Sequence, residues 1–318
     1  MIVTVTLNAA IDRTLTVPNF QLGHRHRASQ ALTLAGGKGI NIARALKLLD
    51  VPVVATGLVG GRPGTRILEE LSEEAILNDF VRIEDESRTS TAVVDPTAGT
   101  FTEINEWGPH VTLEELETLL EKLHYHAQAA DFVVFAGTLP RGVDEGFYGE
   151  AIRDLNRHRV RTVLDTEGEP LRRGIEAEPF LVSPNQGEAE DLVGQELAEQ
   201  EDFTFALEEI AELGARNVFI TQESGCFALL RENRHRTSYH ASAALVDAIS
   251  PVGAGDVLLA GFIAALAAGR TAEDALRSAV AAGTAATLEV GAGRFDPRQA
   301  SRLASEVDVR TLDPVASG

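Results

Sequence analysis

The sequence predicts an α/β protein with a mostly parallel sheet covered by helices on both faces. Short apolar runs alternate along its 318 residues with stretches whose apolar positions follow the helical period. Parallel strands need long crossover connections, which helices usually supply, so this alternation is typical of a sheet between two helical layers. Residues 13–34 and 88–105 depart from the alternation, because they read as polar-alternating strands with no helix between them.

The core strands are predicted where the apolar runs lie: Ile2–Leu7, Val53–Leu58, Phe132–Ala136, Thr162–Asp165, Phe180–Val182 and Asn217–Thr221. Helices are predicted over Ile42–Leu49, Glu114–His126, Asp144–Asn156, Phe205–Leu213, Val257–Ala268 and Ala272–Glu289. No repeat, low-complexity tract or proline-rich linker interrupts the chain. We therefore expect residues 1–318 to form one domain, with the two polar-alternating stretches as inserts.

Composition narrows the classes of function. The formal charge is −20, from 48 acidic and 28 basic residues, which disfavours nucleic acid and anionic membrane surfaces as partners. No apolar run is long enough to span a membrane, and the first residues resemble a strand rather than a signal peptide. The single cysteine, Cys226, cannot form an internal disulfide, so we expect a cytoplasmic protein with a buried thiol. The acidic excess fits a high-salt and a hot habitat equally well.

The most informative stretch is the small-residue turn at residues 250–256, Ser-Pro-Val-Gly-Ala-Gly-Asp, which leads into an apolar run. Such a turn lets backbone N–H groups converge at the start of a helix, where an anion is favoured. Asp256 adds a carboxylate that a phosphate site alone would not need. Amides that hold developing charge, beside a carboxylate that takes a proton, suit phosphoryl transfer. An ordinary glycine-rich turn capped by Asp256 explains the same pattern without a ligand.

A second glycine cluster, Gly36–Asn41, surrounds one of only three lysines in the chain. Its spacing differs from that of a P-loop, because Lys38 lies inside the cluster. A compact ammonium at a helix start can meet a phosphate, whereas a surface lysine in a turn would leave the same pattern.

Four short motifs, in this order along the chain, carry a resemblance to a known family: Gly36–Asn41, Gly137–Pro140, Pro184–Glu188 and Gly253–Asp256. Together they resemble the ribokinase-type carbohydrate kinases, and within them the branch of 1-phosphofructokinase and tagatose-6-phosphate kinase. The resemblance extends from Thr4 to about residue 293. It implies a ribokinase-like three-layer α/β/α fold in which residues 13–34 and 88–105 pair into a small β-strand lid over the sugar site.

The resemblance implies an ATP- and Mg²⁺-dependent kinase that phosphorylates a ketohexose phosphate, first of all D-fructose 1-phosphate to fructose 1,6-bisphosphate. Asp256 would be the general base, and the anion hole would comprise Gly253, Ala254 and Gly255. Tagatose 6-phosphate or fructose 6-phosphate as acceptor would keep the same chemistry. A sugar-phosphate-binding regulator without catalysis is a different class, and Asp256 argues against it because a pure binder needs no base.

On the sugar side, the resemblance implies contacts from Asn8, Asp12, Gly36, Gly37, Asn41 and Gly137. Asn8 and Asp12 follow the first strand, and open α/β sheets bind ligands beyond the carboxyl ends of their strands. A carboxylate accepts two hydrogen bonds from a diol, which suits Asp12 as a ligand of sugar hydroxyls. A turn residue at Asp12 and a helix cap at Asn41 are the plainer explanations.

Three cations match positions that hold the phosphate already on the sugar in related phosphosugar kinases: Arg27, Lys38 and Arg88. Arginine offers a fork for phosphate oxygens and lysine a point charge. Kinases of ribose and nucleosides have acceptors without a phosphate, so these cations distinguish the phosphosugar kinases from them. For each arginine taken alone, a solvated lid residue is the commoner explanation.

On the nucleotide side, the resemblance implies contacts from Asn185, Thr221, Gln222, Gly225, Pro251, Gly253, Gly255 and Gly283, with Glu188 near the metal. Glu188 would act largely through metal-bound water, because Mg²⁺ keeps most of its hydration. A carboxylate stabilised by the dipole at a helix start accounts for Glu188 equally well.

The lid is expected to need a partner surface, because so small a sheet cannot bury an apolar face alone. The side chains concerned are Val17, Phe20, Leu22, Ala92, Val94 and Phe101. Related kinases often cross two lids into a homodimer, so we expect a homodimer through the lid. A lid folded back on its own main domain is the alternative. His124 and His126 lie two apart in a predicted helix and face different ways, so no metal site is expected there.

Overall fold

Two β-sheets and a set of helices make up the computed structural model, which describes residues 1–232, 235–244 and 246–312. The strands are Ile2–Thr6 (β1), Ala10–Thr16 (β2), Gln30–Gly36 (β3), Val53–Gly60 (β4), Leu77–Asn78 (β5), Val81–Ile83 (β6), Arg88–Asp95 (β7), Thr100–Asn105 (β8), Phe132–Ala136 (β9), Arg161–Asp165 (β10), Leu181–Val182 (β11), Val218–Gln222 (β12), Gly225–Glu232 (β13), His235–Ser242 (β14) and Asp308–Leu312 (β15). The helices are Lys38–Leu48 (α1), Gly61–Glu73 (α2), Leu113–Ala127 (α3), Phe147–Arg157 (α4), Gly168–Ile175 (α5), Gln186–Val193 (α6), Gln200–Glu212 (α7), Ala254–Ala267 (α8), Ala272–Thr287 (α9) and Pro297–Leu303 (α10). A 3₁₀ turn follows at Ala304–Glu306.

The large sheet has the strand order β15-β14-β13-β12-β11-β10-β9-β1-β4-β5, and β6 also pairs with β4. Neighbours from β12 through β5 run parallel, and β12 to β15 pair antiparallel at the other edge. The carboxyl ends of the parallel strands therefore meet along one edge of the sheet, where ligands bind in folds of this kind.

Helices cover both faces of the large sheet. Every residue of β1, β4 and β9 is buried. On one face, Ile2 of β1 joins an apolar cluster that includes side chains of α1, α8 and α9. On the other face, Val3 and Val5 join a cluster with side chains of α3, α4 and α7. Successive residues of a strand point to opposite faces, so one short strand contributes to two cores and the molecule has three layers.

The lid sheet has the order β3-β2-β7-β8 and lies apart from the large sheet. Its two central strands run parallel, with Ala10 opposite Arg88 and Asp12 opposite Ser90, and both outer strands pair antiparallel. All six residues of β8 are exposed. These strands occupy the two stretches that the sequence singled out, and the α/β architecture with a mostly parallel sheet is as predicted.

The structure corrects some expectations. Val17 and Ala92 are only 5% and 8% exposed within the single chain, so the expectation that they need a partner surface is wrong. Leu22 and Phe101 remain 87% and 40% exposed. Helix α1 begins at Lys38 rather than at Ile42, because the positive φ of Gly37 ends the preceding strand directly before it.

Several elements escaped the sequence interpretation: α2, α5, α6, α10 and the antiparallel strands β13 to β15. His124 pairs with Asp154 and His126 with Asp79, which confirms that the two rings face different ways. Cys226 is buried as predicted, and burial raises the pKa of its thiol to about 12. Among the described residues, none of the helices has the length and apolar character needed to cross a bilayer.

Candidate active site

Three adjoining cavities open beyond the carboxyl ends of the parallel strands, with volumes of about 400, 480 and 850 Å³. We call them the slot, the central cavity and the outer cavity. The slot and the central cavity share Asn185, Thr221, Pro251 and Gly255 as lining residues. The central and outer cavities share Gly37, Lys38, Arg88 and Glu103. The three spaces are therefore continuous, with the central cavity in the middle.

Asp256 lies on the wall of the central cavity, in the first turn of α8. Its residue is only 6% exposed, and its Oδ2 accepts a hydrogen bond of 2.8 Å from Nδ2 of Asn41. Burial, together with the charge of Asp165, raises the pKa of Asp256 to about 7, although Lys38 and the Asn41 hydrogen bond oppose this shift. A carboxylate that titrates near neutral pH can take up a proton during a reaction.

The turn before Asp256 requires glycine at one position. Gly253 has a φ of 78°, and a Cβ there would lie 2.8 Å from the Cα of Ala292. The amide of Ala254 donates to the carbonyl of Pro251 at 3.2 Å. The amides of Gly255 and Asp256 lie in the first helical turn, where the helix itself offers no carbonyl partner. This helix start can therefore present N–H groups to an anion.

Lys38 reaches across the central cavity to a carboxylate that the sequence interpretation missed. Its Nζ lies 2.6 Å from Oδ1 of Asp165, whose side chain is 5% exposed against 39% for Lys38. Burial disfavours the charged ammonium, but the surrounding carboxylates, Asp165 foremost, outweigh it and hold the pKa of Lys38 above its ordinary value. Lys38 thus stays positively charged at neutral pH.

Asp12 forms part of the lid side of the central cavity, on β2 beside Arg88 of β7. Burial raises the pKa of Asp12 to about 6, although Arg88 opposes the shift and Glu103 adds to it. Gly36 makes room for this carboxylate, since a Cβ on Gly36 would lie 2.0 Å from Oδ2 of Asp12. Asp12 is thus a strand residue aimed into the cavity rather than a turn or cap residue.

The outer cavity extends from Lys38 towards Asn8, Gly137 and the exposed Trp107. Nδ2 of Asn8 donates to Oγ1 of Thr138 at 3.0 Å, and its buried Oδ1 has no hydrogen-bond partner. Such an acceptor is available to a ligand hydroxyl. Gly137 has a φ of 95°, and its carbonyl accepts hydrogen bonds from the hydroxyls of Tyr148 and Thr166. These two hydrogen bonds fix the position of the turn.

The slot is an apolar cleft with a polar rim. Its apolar lining comes from Ala243, Ala244, Val246, Ala248, Leu258 and Val280. The predicted nucleotide contacts that line it are Asn185, Thr221, Gln222, Gly225, Pro251, Gly255 and Gly283. Gly283 packs closely against α8, because a Cβ there would lie 3.0 Å from Cβ of Leu258. Such a cleft fits the flat ring system of a nucleotide. Two of the polar lining residues, Asn185 and Thr221, lie at the end of the slot that joins the central cavity.

The pattern of the pfkB family carbohydrate kinase matches residues 3–299. The chain belongs to this family. A 1-phosphofructokinase from Bacillus subtilis is 33% identical over 314 residues, covering 98% of this chain and 100% of the relative. A tagatose-6-phosphate kinase from Staphylococcus epidermidis is 28% identical, covering 97% and 99%. The structure of phosphofructokinase-2 from Escherichia coli in complex with substrates and products has a TM-score of 0.86 at 27% identity, covering 96% and 98%.

As a member of the pfkB family, the protein is a kinase that transfers a phosphoryl group to an alcohol. The predicted family and the ribokinase-like fold are both confirmed. The central cavity brings together most of the residues predicted for chemistry and sugar binding: Asp12, Gly37, Lys38, Asn41, Arg88, Gly253, Gly255 and Asp256. Asn8 and Gly137 line the outer cavity, Ala254 lines the slot, and Gly36 lies against Asp12.

Three predicted site residues of this pfkB-family chain line none of the three cavities: Arg27, Glu188 and Gly36, which lies against Asp12. Arg27 is exposed in the segment between β2 and β3. Glu188 lies in the first turn of α6, and its Oε2 accepts the backbone N–H of Asn185 at 2.8 Å while Asn185 caps the helix in return. Burial raises the pKa of Glu188, opposed by the nearby Lys38 charge.

Three charged residues of the site were not predicted. Asp165 could have been found, because it ends a predicted strand at the ligand-binding edge of the sheet. Glu103 lines the central and outer cavities from β8, where it accepts a hydrogen bond from Ser90. Arg44 lies buried beneath Asn41, and a lone arginine on a helix gives no signal of such a position.

Proposed function

We propose that the chain transfers the terminal phosphoryl group of ATP to a hydroxyl of a ketohexose phosphate, with D-fructose 1-phosphate as acceptor and fructose 1,6-bisphosphate as product. The observation that carries this proposal is the position of Asp256. It lines the cavity that joins an apolar slot, suited to a nucleotide base, to a polar space rich in hydrogen-bonding groups. The similarity to a 1-phosphofructokinase over the whole chain supports the choice of acceptor.

In the proposed reaction, Asp256 accepts the proton of the attacking hydroxyl as the new O–P bond forms and the bond to ADP breaks. Asn41 holds the carboxylate in place through its 2.8 Å hydrogen bond. The turn Gly253–Gly255 and the first turn of α8 supply backbone amides for the charge on the transferred group. Lys38, which stays charged, adds a cation beside the same space.

The sugar would lie between the lid and the large sheet. Asp12 and Asn8 are placed to accept hydrogen bonds from its hydroxyls, and Asn41 lies within the same cavity wall. Gly36, Gly37 and Gly137 provide the close backbone approach. Arg88 and Lys38 line both the central and the outer cavity, so they are the cations within one chain that would hold the phosphate already on the sugar.

Arg27 would serve the same phosphate only from another copy, because it is exposed outside its own chain's cavities. The exposed apolar side chains of the lid region support such an assembly: Leu22, Phe101, Ile104 and Trp107. We therefore include in the proposal a two-fold homodimer through the lid, in which each lid covers a sugar site and helps to exclude water. The kinase body and its two lid inserts would act as one domain.

Mg²⁺ would accompany ATP. Among the described residues, no three His, Cys, Asp or Glu side chains cluster as a complete metal site. Mg²⁺ bound with a nucleotide needs only one or two carboxylates, besides phosphate oxygens and water. Glu188 fits this requirement, since only its Oε2 is engaged by the Asn185 amide. Bound Mg²⁺ would neutralise charge on the nucleotide phosphates, and Glu188 with Asn185 would hold it at the start of α6.

A coupled ADP-release assay tests the proposed acceptor. The panel contains fructose 1-phosphate, fructose 6-phosphate, tagatose 6-phosphate and the unphosphorylated sugars fructose and ribose. We expect the highest kcat/KM with fructose 1-phosphate. Tagatose 6-phosphate is the second candidate because a tagatose-6-phosphate kinase is also similar over nearly the whole chain. The Asp256→Asn protein, prepared identically, controls for contaminating kinases. Preference for an unphosphorylated sugar, or no turnover of any member, would contradict the proposal.

A further inference from the structure

Arg44 is a buried arginine whose guanidinium makes five hydrogen bonds. It is 4% exposed and lines none of the three cavities in the described part of the chain. Its Nε donates to both carboxylate oxygens of Glu74, at 2.8 and 3.0 Å. Its Nη1 donates to Oδ1 of Asn41 at 3.3 Å and to the carbonyl of Ala292 at 3.1 Å. Its Nη2 donates to the carbonyl of Ala35 at 2.8 Å.

The contact with Asn41 fixes which way that amide points. A guanidinium can only donate hydrogen bonds, and an ionised carboxylate can only accept them. Asn41 lies between the two, with Oδ1 towards Arg44 and Nδ2 towards Asp256. A flipped amide would place its oxygen against the Asp256 carboxylate and its NH₂ against the guanidinium, so both contacts would become repulsive. Arg44 therefore holds the Asn41 donor towards the base.

The other two carbonyl contacts reach segments that shape the same cavity. Ala292 packs against Gly253, whose Cβ position lies 2.8 Å from the Ala292 Cα. The next residue, Gly293, lies against the backbone of Asn41, 2.6 Å from its carbonyl oxygen when a Cβ is placed there. Ala35 precedes Gly36, on which Asp12 rests. The guanidinium of Arg44 thus connects Asp256, through Asn41, with the turn before α8 and with the end of the lid strand β3.

We propose that Arg44 is a positioning residue for phosphoryl transfer, which orients the Asp256 carboxylate through Asn41 and fixes the turn at Gly253 through Ala292. This inference rests on the proposed role of Asp256 as the base. The competing view is that Arg44 and Glu74 form a buried ion pair that contributes only to folding. In a variant that still folds, a positioning role predicts a lower kcat, whereas a purely structural role predicts an unchanged kcat.

The test uses the full-length Arg44→Lys enzyme with fructose 1-phosphate and ATP. Lysine keeps the charge opposite Glu74, but one ammonium cannot reach Asn41, Ala35 and Ala292 together. We expect kcat to fall about 10- to 100-fold, in line with the loss of charged hydrogen bonds, while KM for each substrate changes by less than about threefold. Arg277→Lys is the matched control, because Arg277 also donates to a carbonyl, that of Val307, away from the cavities. It should leave kcat unchanged.

A double-mutant cycle separates positioning from a general loss of stability. Because Arg44 also contacts Ala292, the Asn41→Ala/Arg44→Lys enzyme should turn over more slowly than Asn41→Ala alone, but by a clearly smaller factor than Arg44→Lys slows the wild type. Fully multiplicative effects would overturn the proposal, as would a kcat for Arg44→Lys within threefold of wild type. If Arg44→Lys does not accumulate as folded protein, Glu74→Gln replaces it, since it removes the charged partner of the guanidinium and leaves every cavity residue in place.

The pH profile of kcat provides a readout that a purely structural role would not move. The Asn41 donor lowers the pKa of Asp256, so its loss should move the acidic limb of the profile to higher pH. The other charged groups facing Asp256, which are Lys38 of α1, Asp165 of β10 and Asp12 of β2, remain in all variants. An unmoved acidic limb in Arg44→Lys would contradict the proposal. A wild-type enzyme inactive on every sugar phosphate would instead defeat the proposed function itself.

Discussion

The two sheets of this kinase differ in how they are supported. The neighbouring strands β9, β1 and β4 of the large sheet are buried at every position, because helices cover both faces. In the lid sheet, β8 is exposed at all six positions, and Phe101 and Ile104 present apolar side chains to solvent. The buried strands of the large sheet are covered by helices of the same chain, whereas the edge strand β8 of the lid has no such cover within the described part of the chain. Such an edge is a natural place for a second chain to bind.

The difference divides the proposed site into a fixed and an adjustable half. Asp256, Asn41 and Lys38 belong to helices packed on the large sheet. Asp12 and Arg88 belong to the lid. Catalysis requires the first group to be held rigidly, whereas acceptor recognition can depend on how the lid is closed. Substitutions in the two halves should therefore change different kinetic constants.

The largest effect is expected at Asp256. Asp256→Asn keeps the shape of the side chain but removes the proton acceptor, so kcat should fall towards the upper end of about 10²–10⁴-fold with little change in KM. Steady-state kinetics with fructose 1-phosphate and ATP measures this. Asp274→Asn is the control, since Asp274 also lies in the first turn of a helix, α9, and lines no cavity described above. An Asp256→Asn enzyme that retains a third of the wild-type kcat would refute the role as base.

Next in size are the cations of the lid side. Arg88→Ala and Arg27→Ala should each weaken the apparent affinity for the sugar phosphate about 10- to 150-fold, because each removes a charged hydrogen bond worth about 1.5–3 kcal/mol. The affinity for ATP should change much less. Arg25→Ala controls for Arg27, since both lie exposed in the same segment. Lys38→Ala should act similarly but also leaves the buried Asp165 without its partner. If the apparent affinities for the sugar phosphate and for ATP fell equally, these residues would not be specific ligands of the sugar phosphate.

A smaller effect should follow from opening the lid interface. Light scattering at micromolar concentration should give about twice the chain mass of 34.0 kDa for the wild type. Leu22→Ser/Ile104→Ser, which changes two exposed lid residues that line no cavity described above, should lower this mass and raise KM for the sugar phosphate while leaving the KM for ATP unchanged. Tyr125→Ser, which removes a 72% exposed aromatic ring from α3, should change neither. A fully active wild-type monomer would exclude the dimeric lid.

The smallest effect concerns stability against pH. The folded state raises the pKa of Asp256 from 3.8 to about 7, so it binds this proton more tightly than the unfolded chain does. The stability contributed by the proton is present below about pH 4 and is lost as pH rises to about 7. Asp256→Asn escapes this loss, so its Tm should gain on that of the wild type as pH rises from about 4 to 7, with no further gain above pH 7. Calorimetry would show a shift of about 2–4 °C per kcal/mol, and a constant margin would contradict the titration.

The sequence predicted the apolar parallel strands of the large sheet because their pattern is local, whereas β13 and β14, of eight residues each, were missed. Strand β9 is one continuous apolar run, and its predicted bounds, Phe132–Ala136, are those observed. Helices α5 and α6 have eight residues each, too few to show a clear helical period. Helix α2 begins with Gly-Arg-Pro-Gly, a composition typical of turns, and only its second half, with Ile67 and Leu71, carries the buried apolar positions.

Site residues with a motif could be predicted, and those defined only by a distant partner could not. Asp256 and Lys38 lie in glycine-rich helix starts whose chemistry is visible locally. Asp165 ends a predicted strand, which was a usable signal, but its pairing with Lys38, 127 residues away in the chain, was not visible locally. Glu103 gains its place from the pairing of β8 with β7. The charge partners of a buried group depend on tertiary packing, which no local pattern encodes.

The contacts of Arg44 also set an order of events during synthesis. Glu74 follows Arg44 by only 30 residues, whereas Ala292 follows it by 248. At about 5–20 residues per second, a ribosome needs about 10–50 s to add that intervening length. Until then, the nascent chain contains both members of the ion pair but lacks Ala292, whose carbonyl accepts from the guanidinium and against which the turn at Gly253 packs. The first half of the protein can begin to fold early, yet the proposed catalytic centre assembles only when the two distant segments meet.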